Sequence, residues 1–222
     1  MENLSLSGRY SYASEGKLAQ DVRRVDLILE DQQPTYDYSV DTSADFIRDN
    51  GWFGTGRSFI KALLCLLTYH QPKSFDNDAL VHTSNDWLKQ GNSKNYHHFF
   101  PKAYMRKKLG RDEWTVNHIA NITIVDDFLN KRKIKDKPPA TYMEKFAESN
   151  PNLTETMESH LIDLDGFGVW ENDYDRFFRE RCEAFAKELE QRVIPQPVDA
   201  RGQAVQTDDF EDVESEQSAA QG

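Results

Sequence analysis

The chain has 222 residues and a formal net charge of −11, with 27 Lys and Arg against 38 Asp and Glu. Its hydrophobic fraction of 38% is sufficient for one folded domain with appendages. The longest apolar run, residues 59–69, is too short to span a bilayer and contains Lys61, which argues against a membrane protein. The N-terminus lacks the basic start and apolar stretch of a secretory signal, so we expect a cytoplasmic protein.

The charge is unevenly distributed along the chain. Residues 94–137 hold eleven Lys and Arg against five Asp and Glu, whereas the end of the chain is acidic. An acidic protein can therefore still present a basic face to DNA. We expect three regions: an N-terminal segment of uncertain fold (1–50), a mainly helical domain (51–193) and an acidic disordered tail (194–222).

The first half of the chain predicts helices separated by turns. These are a periodic segment ending before Pro34, a short helix and turn within 42–56, a buried helix over 58–70, and a helix within 76–90 that uses Leu80, Val81, Trp87 and Leu88. Cys65 lies in the third of these helices, far in sequence from Cys182. Their setting predicts two small core residues, without a disulfide or a zinc site.

The second half mixes helices with a strand. Pro101 suits the first turn of a helix that ends near Gly110, and the run 122–125 reads as a strand. Further helices are predicted at 126–134, at 141–149, after a capping box at Asn152 and Glu155, and at 172–193, where Phe178, Cys182, Phe185 and Leu189 recur with helical spacing. The last is the clearest amphipathic helix in the sequence.

The run YHHFFPK at 96–102 carries the strongest functional signal. His97 and His98 end an aromatic, strand-like stretch, and Asn121 and Asn130 follow downstream, the second within a predicted helix. This residue order is typical of an HNH-type (ββα-metal) nuclease site. We expect the aromatic residues of the run, Tyr96, Phe99 and Phe100, to be core residues.

These residue types suit phosphodiester hydrolysis. A neutral imidazole, with an ordinary pKa near ~6.5, can activate water, and a hard cation such as Mg²⁺ can neutralise charge on the phosphate. The amide oxygen of Asn130 is a suitable ligand for that cation. Adjacent strand residues point to opposite faces, so His97 and His98 can serve one site only if the backbone bends.

Residues 50–192 resemble the C-terminal HNH-type domain of GmrSD-like, modification-dependent restriction proteins. The matching segments are SFIKALLCLL at 58–67, NYHHFFPKAY at 95–104 and VNHIANITIVDDFLNKRKIKDKPPATY at 116–142. The resemblance implies an α+β fold, mainly helical, with a small ββα-metal motif. It also implies a DNA endonuclease of an anti-phage restriction system that depends on Mg²⁺ or Mn²⁺.

The same resemblance implies a role for each site residue. His98 would be the general base, Asn121 would pin the loop between the two strands, and His97 and Asn130 would be metal ligands. Lys102 and Lys133 are candidate DNA contacts.

The chain departs from the family near its N-terminus. Full-length relatives carry a sensor NTPase domain with a DGQQR-like motif, and residues 30–34 read EDQQP. A separate sensor NTPase is therefore a possible partner, and the oligomeric state is open. One site per chain predicts nicking. The alternative interpretation is a catalytically inactive subunit that binds DNA or a partner protein.

Overall fold

The computed structural model describes residues 15–35, 40–54, 57–81, 96–125, 134 and 136–193. In chain order its elements are α1 (Glu15–Leu29), α2 (Ala44–Asn50), α3 (Ser58–Tyr69), β1 (Tyr96–His98), α4 (Lys102–Lys108), α5 (Glu113–Val116), a 3₁₀ turn (Ile119–Asn121), β2 (Ile122–Ile124), α6 (Pro139–Ser149), α7 (Leu153–Glu158) and α8 (Tyr174–Arg192). The fold is mainly helical with a small antiparallel sheet, which confirms the expected α+β class.

Helix α3 is the buried helix that its apolar run predicts. Most of its apolar side chains are buried, and they pack against α2, the sheet and α8. Cys65 is exposed, so its predicted place in the core is wrong. Cys65 follows Lys61 by one helical turn, and this spacing puts both residues on the outward face of α3.

Helix α8 packs against the sheet. Its residues Cys182, Phe185 and Leu189 are buried with the predicted helical spacing, and Asp173 caps its start through a bond from the Arg176 backbone N–H. Arg181 is fully buried and donates to the carbonyl of Ile122 at 3.2 Å. Burial lowers the pKa of this guanidinium to about 9.

Strands β1 and β2 pair in an unbroken register of three residue pairs. Tyr96 faces Ile124, His97 faces Thr123, and His98 faces Ile122. Side chains alternate along a strand, so Tyr96 and His98 share one face and His97 lies on the other.

Two apolar clusters flank the sheet. One joins α2, α3 and the C-terminal half of α8, and it includes Ile47 and Tyr96. The other joins α6, α7 and the first turn of α8, and it includes Phe99 and Phe100. The aromatic residues of the YHHFFPK run are buried, as the sequence predicted.

Helix α4 begins and ends where the sequence indicated. Pro101 is its N-cap residue, and Gly110 follows its end with a φ of +62°, in the left-handed region that favours glycine. Strand β2 and helices α6 and α8 likewise confirm the predicted strand and helices.

Two local predictions are wrong. Residues 76–81 form turns and a bridge between Lys73 and Leu80, so Leu80 and Val81 are not part of the helix that was predicted within 76–90. Asn152 does begin α7, but its side chain makes no capping bond. Its backbone N–H instead donates to the Asn150 side chain, and its φ and ψ of −101° and 25° differ from the extended geometry of a side-chain cap.

Residues 82–90, most of the helix predicted at 126–134 and the acidic tail predicted at 194–222 lie outside the described residues. The division into three regions stays a prediction. In the part of the chain that the structure describes, no helix is long and apolar enough to cross a bilayer.

Candidate active site

His98 lies at the end of β1, directly before the segment that leads through Pro101 into α4. Its ring is partly buried, and its Nε2 atom lies 3.1 Å from the side-chain oxygen of Asn117. Lys102 donates from its ammonium group to the same oxygen, also at 3.1 Å. The end of a strand, the start of a helix and a loop residue therefore meet around one amide oxygen.

The orientation of the Asn117 amide assigns the proton on His98. The Asn117 Nδ2 group donates to the backbone carbonyl of Phe53 at 3.0 Å, so its Oδ1 atom must be the acceptor for His98 and Lys102. His98 consequently carries its proton on Nε2 when neutral. Its Nδ1 atom, which makes no hydrogen bond to any described residue, is the basic nitrogen.

The surroundings keep the His98 imidazole neutral. Burial and the nearby Lys102 charge lower its pKa to about 3, and the bond to Asn117 offsets only part of this effect. Burial also lowers the pKa of Lys102. At neutral pH the site holds a neutral imidazole beside a cation, which is a combination able to receive a proton next to a bound anion.

Asn121 ties together the backbone around His98. Its buried amide accepts from the Phe100 N–H at 2.8 Å and donates to the carbonyls of Phe100 and Val116 at 3.0 and 3.1 Å. Its own carbonyl accepts from Phe99 at 2.8 Å, which continues the strand pairing past His98. These bonds hold the loop after β1 in place, and Asn121 is too buried to contact a substrate directly.

His97 points away from His98. Only 3% of its surface is exposed, and its ring packs edge-to-face on Tyr142. The unbroken register of β1 supplies no bend that would bring the two rings to one site. The geometry thus supports His98 as the site histidine, and a metal-binding role for His97 stays a prediction that this geometry does not favour.

Two further buried histidines serve the fold. His118 uses both ring nitrogens, with Nε2 donating to the carbonyl of Arg48 and Nδ1 accepting from Ala120. His160 donates from Nε2 to the carbonyl of Lys73 at 2.7 Å. Burial lowers their pKa values to about 4 and about 3 respectively.

The predicted metal site lies only partly within the described residues. Within the described ranges, no three His, Cys, Asp or Glu side chains come together in a way that could hold an ion. The predicted ligand Asn130 and the predicted DNA contact Lys133 lie in 126–133, outside those ranges. Both assignments stay predictions.

Sequence reasoning missed Asn117, which joins His98, Lys102 and the segment at Phe53. No local pattern marks this residue, because its partners lie 15, 19 and 64 positions away in the chain. The only signal was its place inside the segment 116–142 that resembles the restriction family.

Comparisons with known proteins give a family for most of the chain. The model of the C-terminal domain of GmrSD restriction endonucleases matches residues 40–188, which include β1, β2 and the His98 site. An uncharacterized protein of Methanocaldococcus jannaschii is 23% identical over 195 residues, covering 80% of this chain and 31% of that protein. The chain thus spans about a third of the length of that relative. No solved structure matches. Because the family match covers well over half of the sequence, this chain belongs to the family of GmrSD restriction endonuclease C-terminal domains.

Proposed function

We propose that this protein is a metal-dependent DNA endonuclease in which His98 activates the attacking water. The observation that carries the proposal is the geometry of His98. Its Nε2–H is held by Asn117, its Nδ1 is the basic nitrogen, and the Lys102 ammonium lies beside it. Membership of a restriction endonuclease family supports DNA as the substrate.

In the proposed reaction a water molecule gives a proton to Nδ1 of His98 as its oxygen bonds to phosphorus. The bond from phosphorus to the leaving oxygen breaks, and that oxygen takes a proton from solvent. The resulting imidazolium is stabilised by its hydrogen bond to Asn117. Asn121 acts at a distance from the substrate by fixing the backbone that carries His98.

Lys102 has two effects in this proposal. Its ammonium would contact an anionic phosphate, and its charge adds to the effect of burial in lowering the pKa of His98 in the free protein. A bound phosphodiester would offset that charge, so the pKa of His98 is expected to rise when DNA binds. His98 then becomes a stronger base in the complex than in the free protein.

Metal dependence is also part of the proposal. Mg²⁺ or Mn²⁺ would supply charge neutralisation at the phosphate, with Asn130 as a ligand. The described residues do not form the ion site by themselves, and the steps above are assigned to the protein's own side chains.

Supercoiled plasmid tests the proposal. We expect the wild-type protein to convert it to open circles with Mg²⁺ or Mn²⁺ and to be inactive in EDTA. His98→Asn keeps an amide donor near Asn117 but has no basic nitrogen, so its rate should fall by at least about 100-fold.

His70→Ala is the matched control, because His70 is also partly buried but pairs with Glu188 on α8. It should cut at the wild-type rate. Equal cutting by His98→Asn and the wild type would reject His98 as the base. A folded wild-type protein that never cuts with either ion would favour a subunit that only binds DNA or a partner protein.

We further propose that cleavage serves defence against foreign DNA and that a sensor NTPase, as a separate subunit or domain, directs it. The length of the M. jannaschii relative, of which this chain covers 31%, is compatible with such a further domain. Co-purification of an NTPase with the tagged protein would support this arrangement. One active site per chain predicts open-circle product before linear product.

A further inference from the structure

A stacked pair of tryptophans lies next to the candidate active site. The Trp52 and Trp114 rings have centroids 5.7 Å apart and planes inclined by 24°. Trp114 is 43% exposed, and Trp52 is partly buried behind it. The two residues come from distant segments, so the fold itself creates this aromatic surface, here called the tryptophan pair.

Backbone bonds fix the tryptophan pair relative to His98. Trp52 pairs with His118 in an antiparallel bridge, and the neighbouring Phe53 N–H donates to the Asn117 carbonyl at 2.8 Å. Trp114 lies in α5, three residues before Asn117. Asn117, whose side chain bonds to His98, therefore also bonds to the segment that carries Trp52 and ends the helix that carries Trp114.

Close packing holds the Trp52 segment in place. A Cβ atom at Gly51 would lie 2.0 Å from Nε2 of His118, so only glycine permits this approach. The carbonyl of Gly51 accepts from Ile119 at 2.7 Å. The tryptophan pair thus rests on a fixed support.

Positive charge lies on α4, which is tied to the segment that carries Trp114. Helix α4 carries Lys102 at the candidate site and then the exposed Arg106, Lys107 and Lys108. Arg106 pairs with Glu113, the residue before Trp114, and this pair joins α4 to α5. An exposed aromatic ring on a helix that is joined to a basic helix suits a nucleotide, whose base can stack on the ring while phosphates along the strand meet the cations.

We propose that Trp114, backed by Trp52, stacks on an unpaired base of the DNA strand next to the phosphate that His98 attacks. This inference rests on the proposed nuclease function. Bases inside a duplex are covered by their neighbours, so an exposed ring gains a stacking partner only from single-stranded or locally opened DNA. The protein should therefore prefer such DNA over a closed duplex.

Binding in EDTA tests the proposal without cleavage. The probe is a fluorescently labelled single-stranded oligonucleotide, compared with a version of equal length whose central nucleotides are abasic. Abasic positions keep the phosphates and remove the bases. Wild-type protein should bind the intact strand roughly tenfold more tightly than the abasic strand or a closed duplex.

Trp114→Ala should remove that preference, with about tenfold weaker binding of the intact strand and unchanged binding of the abasic strand. Trp114→Phe, which keeps an aromatic ring, should retain part of it. Tyr69→Ala is the matched control, because Tyr69 is an exposed aromatic residue at the end of α3 that packs against Arg192. It should change neither affinity.

Several outcomes would overturn the tryptophan pair as a base-binding surface. These are unchanged binding by Trp114→Ala, equal loss for intact and abasic strands, or no binding of any DNA by the wild type. Unchanged DNA binding together with loss of a co-purifying protein would assign the surface to a protein partner. Base-dependent binding through Trp114 without plasmid cleavage would reject the nuclease proposal and leave the stacking surface standing.

Discussion

Adjacent histidines on one short strand occupy opposite environments, and this difference is the reason for proposing His98 and not His97 as the catalytic base. His98 faces a partly open corner with an amide and a cation, whereas His97 packs against Tyr142 inside the protein. His160 is buried deeper still and donates to a backbone carbonyl. His98 and His160 share a pKa lowered to about 3. A lowered pKa therefore does not distinguish the proposed catalytic histidine from a structural one. The distinction rests on the accessibility and the hydrogen-bond partners of the second ring nitrogen.

The largest expected effect is on the segment after β1, which the Asn121 side chain holds in place. Asn121→Ala would leave the Phe100 N–H and two buried carbonyls without their side-chain partner. We expect the free energy of unfolding to fall on the order of 3 kcal/mol or more, and cleavage to be lost with it. Urea denaturation monitored by circular dichroism measures this. A normally stable Asn121→Ala protein would show that these bonds do not hold the site.

The buried histidines should make stability depend on pH. The pKa values of His118 and His160 are about 4 and about 3 in the folded protein, below the ordinary ~6.5 of the unfolded chain. The unfolded state therefore binds more protons below pH ~6.5, so stability is full above that pH and falls as the pH decreases towards 4. Urea midpoints between pH 7.5 and 4.5 measure the slope. His160→Gln should reduce it, and an unchanged slope would contradict a neutral buried His160.

Asn117 should affect cleavage more than stability. Removing its side chain by Asn117→Ala frees the His98 ring and should lower the cleavage rate by about 10- to 100-fold. Asn117→Asp keeps an acceptor for Nε2–H, so it should recover part of the rate and shift the acid limb of the pH profile upward. Single-turnover cleavage with melting temperatures as a fold check measures both. If neither variant changes the rate or the profile, Asn117 does not position His98.

The smallest expected effect is on the pH profile of cleavage. Burial and the Lys102 charge both lower the pKa of His98, and Lys102→Met removes only the charge, so the acid limb of kcat/KM should move modestly to higher pH. In the wild type, the acid limb of kcat should lie above that of kcat/KM, because bound phosphate offsets the Lys102 charge. If the acid limb of kcat/KM lies at the same pH in Lys102→Met and the wild type, the Lys102 charge does not affect the pKa of His98.

Sequence patterns correctly predicted those helices whose positions depend on residues close together in the chain. The apolar run of α3 and the spacing in α8 predicted two buried helices, and Pro101 and Gly110 marked the limits of α4. His98 was proposed as the base because a strand end, two downstream asparagines and the flanking segments resemble a known family. The helix signals each lie within a short stretch of chain, whereas the signal for His98 came from segments spread over residues 58–142.

Long-range contacts could not be read in the same way. The side chain of Asn117 joins segments up to 64 residues apart, and the tryptophan pair brings Trp52 to Trp114. The outward position of Cys65 depends on which face of α3 the rest of the protein covers. Asn152 met the sequence rule for a cap, yet the Asn150 side chain accepts from its backbone and shapes that turn instead.

The proton on His98 is the central claim, and nuclear magnetic resonance of protein with ¹⁵N-labelled histidine tests it most directly. We expect the His98 signals, assigned with His98→Asn, to show a neutral ring protonated on Nε2 from pH 8 down to pH 5, with no titration near 6.5. A ring protonated on Nδ1, or one that titrates near 6.5 in the free protein, would contradict the account.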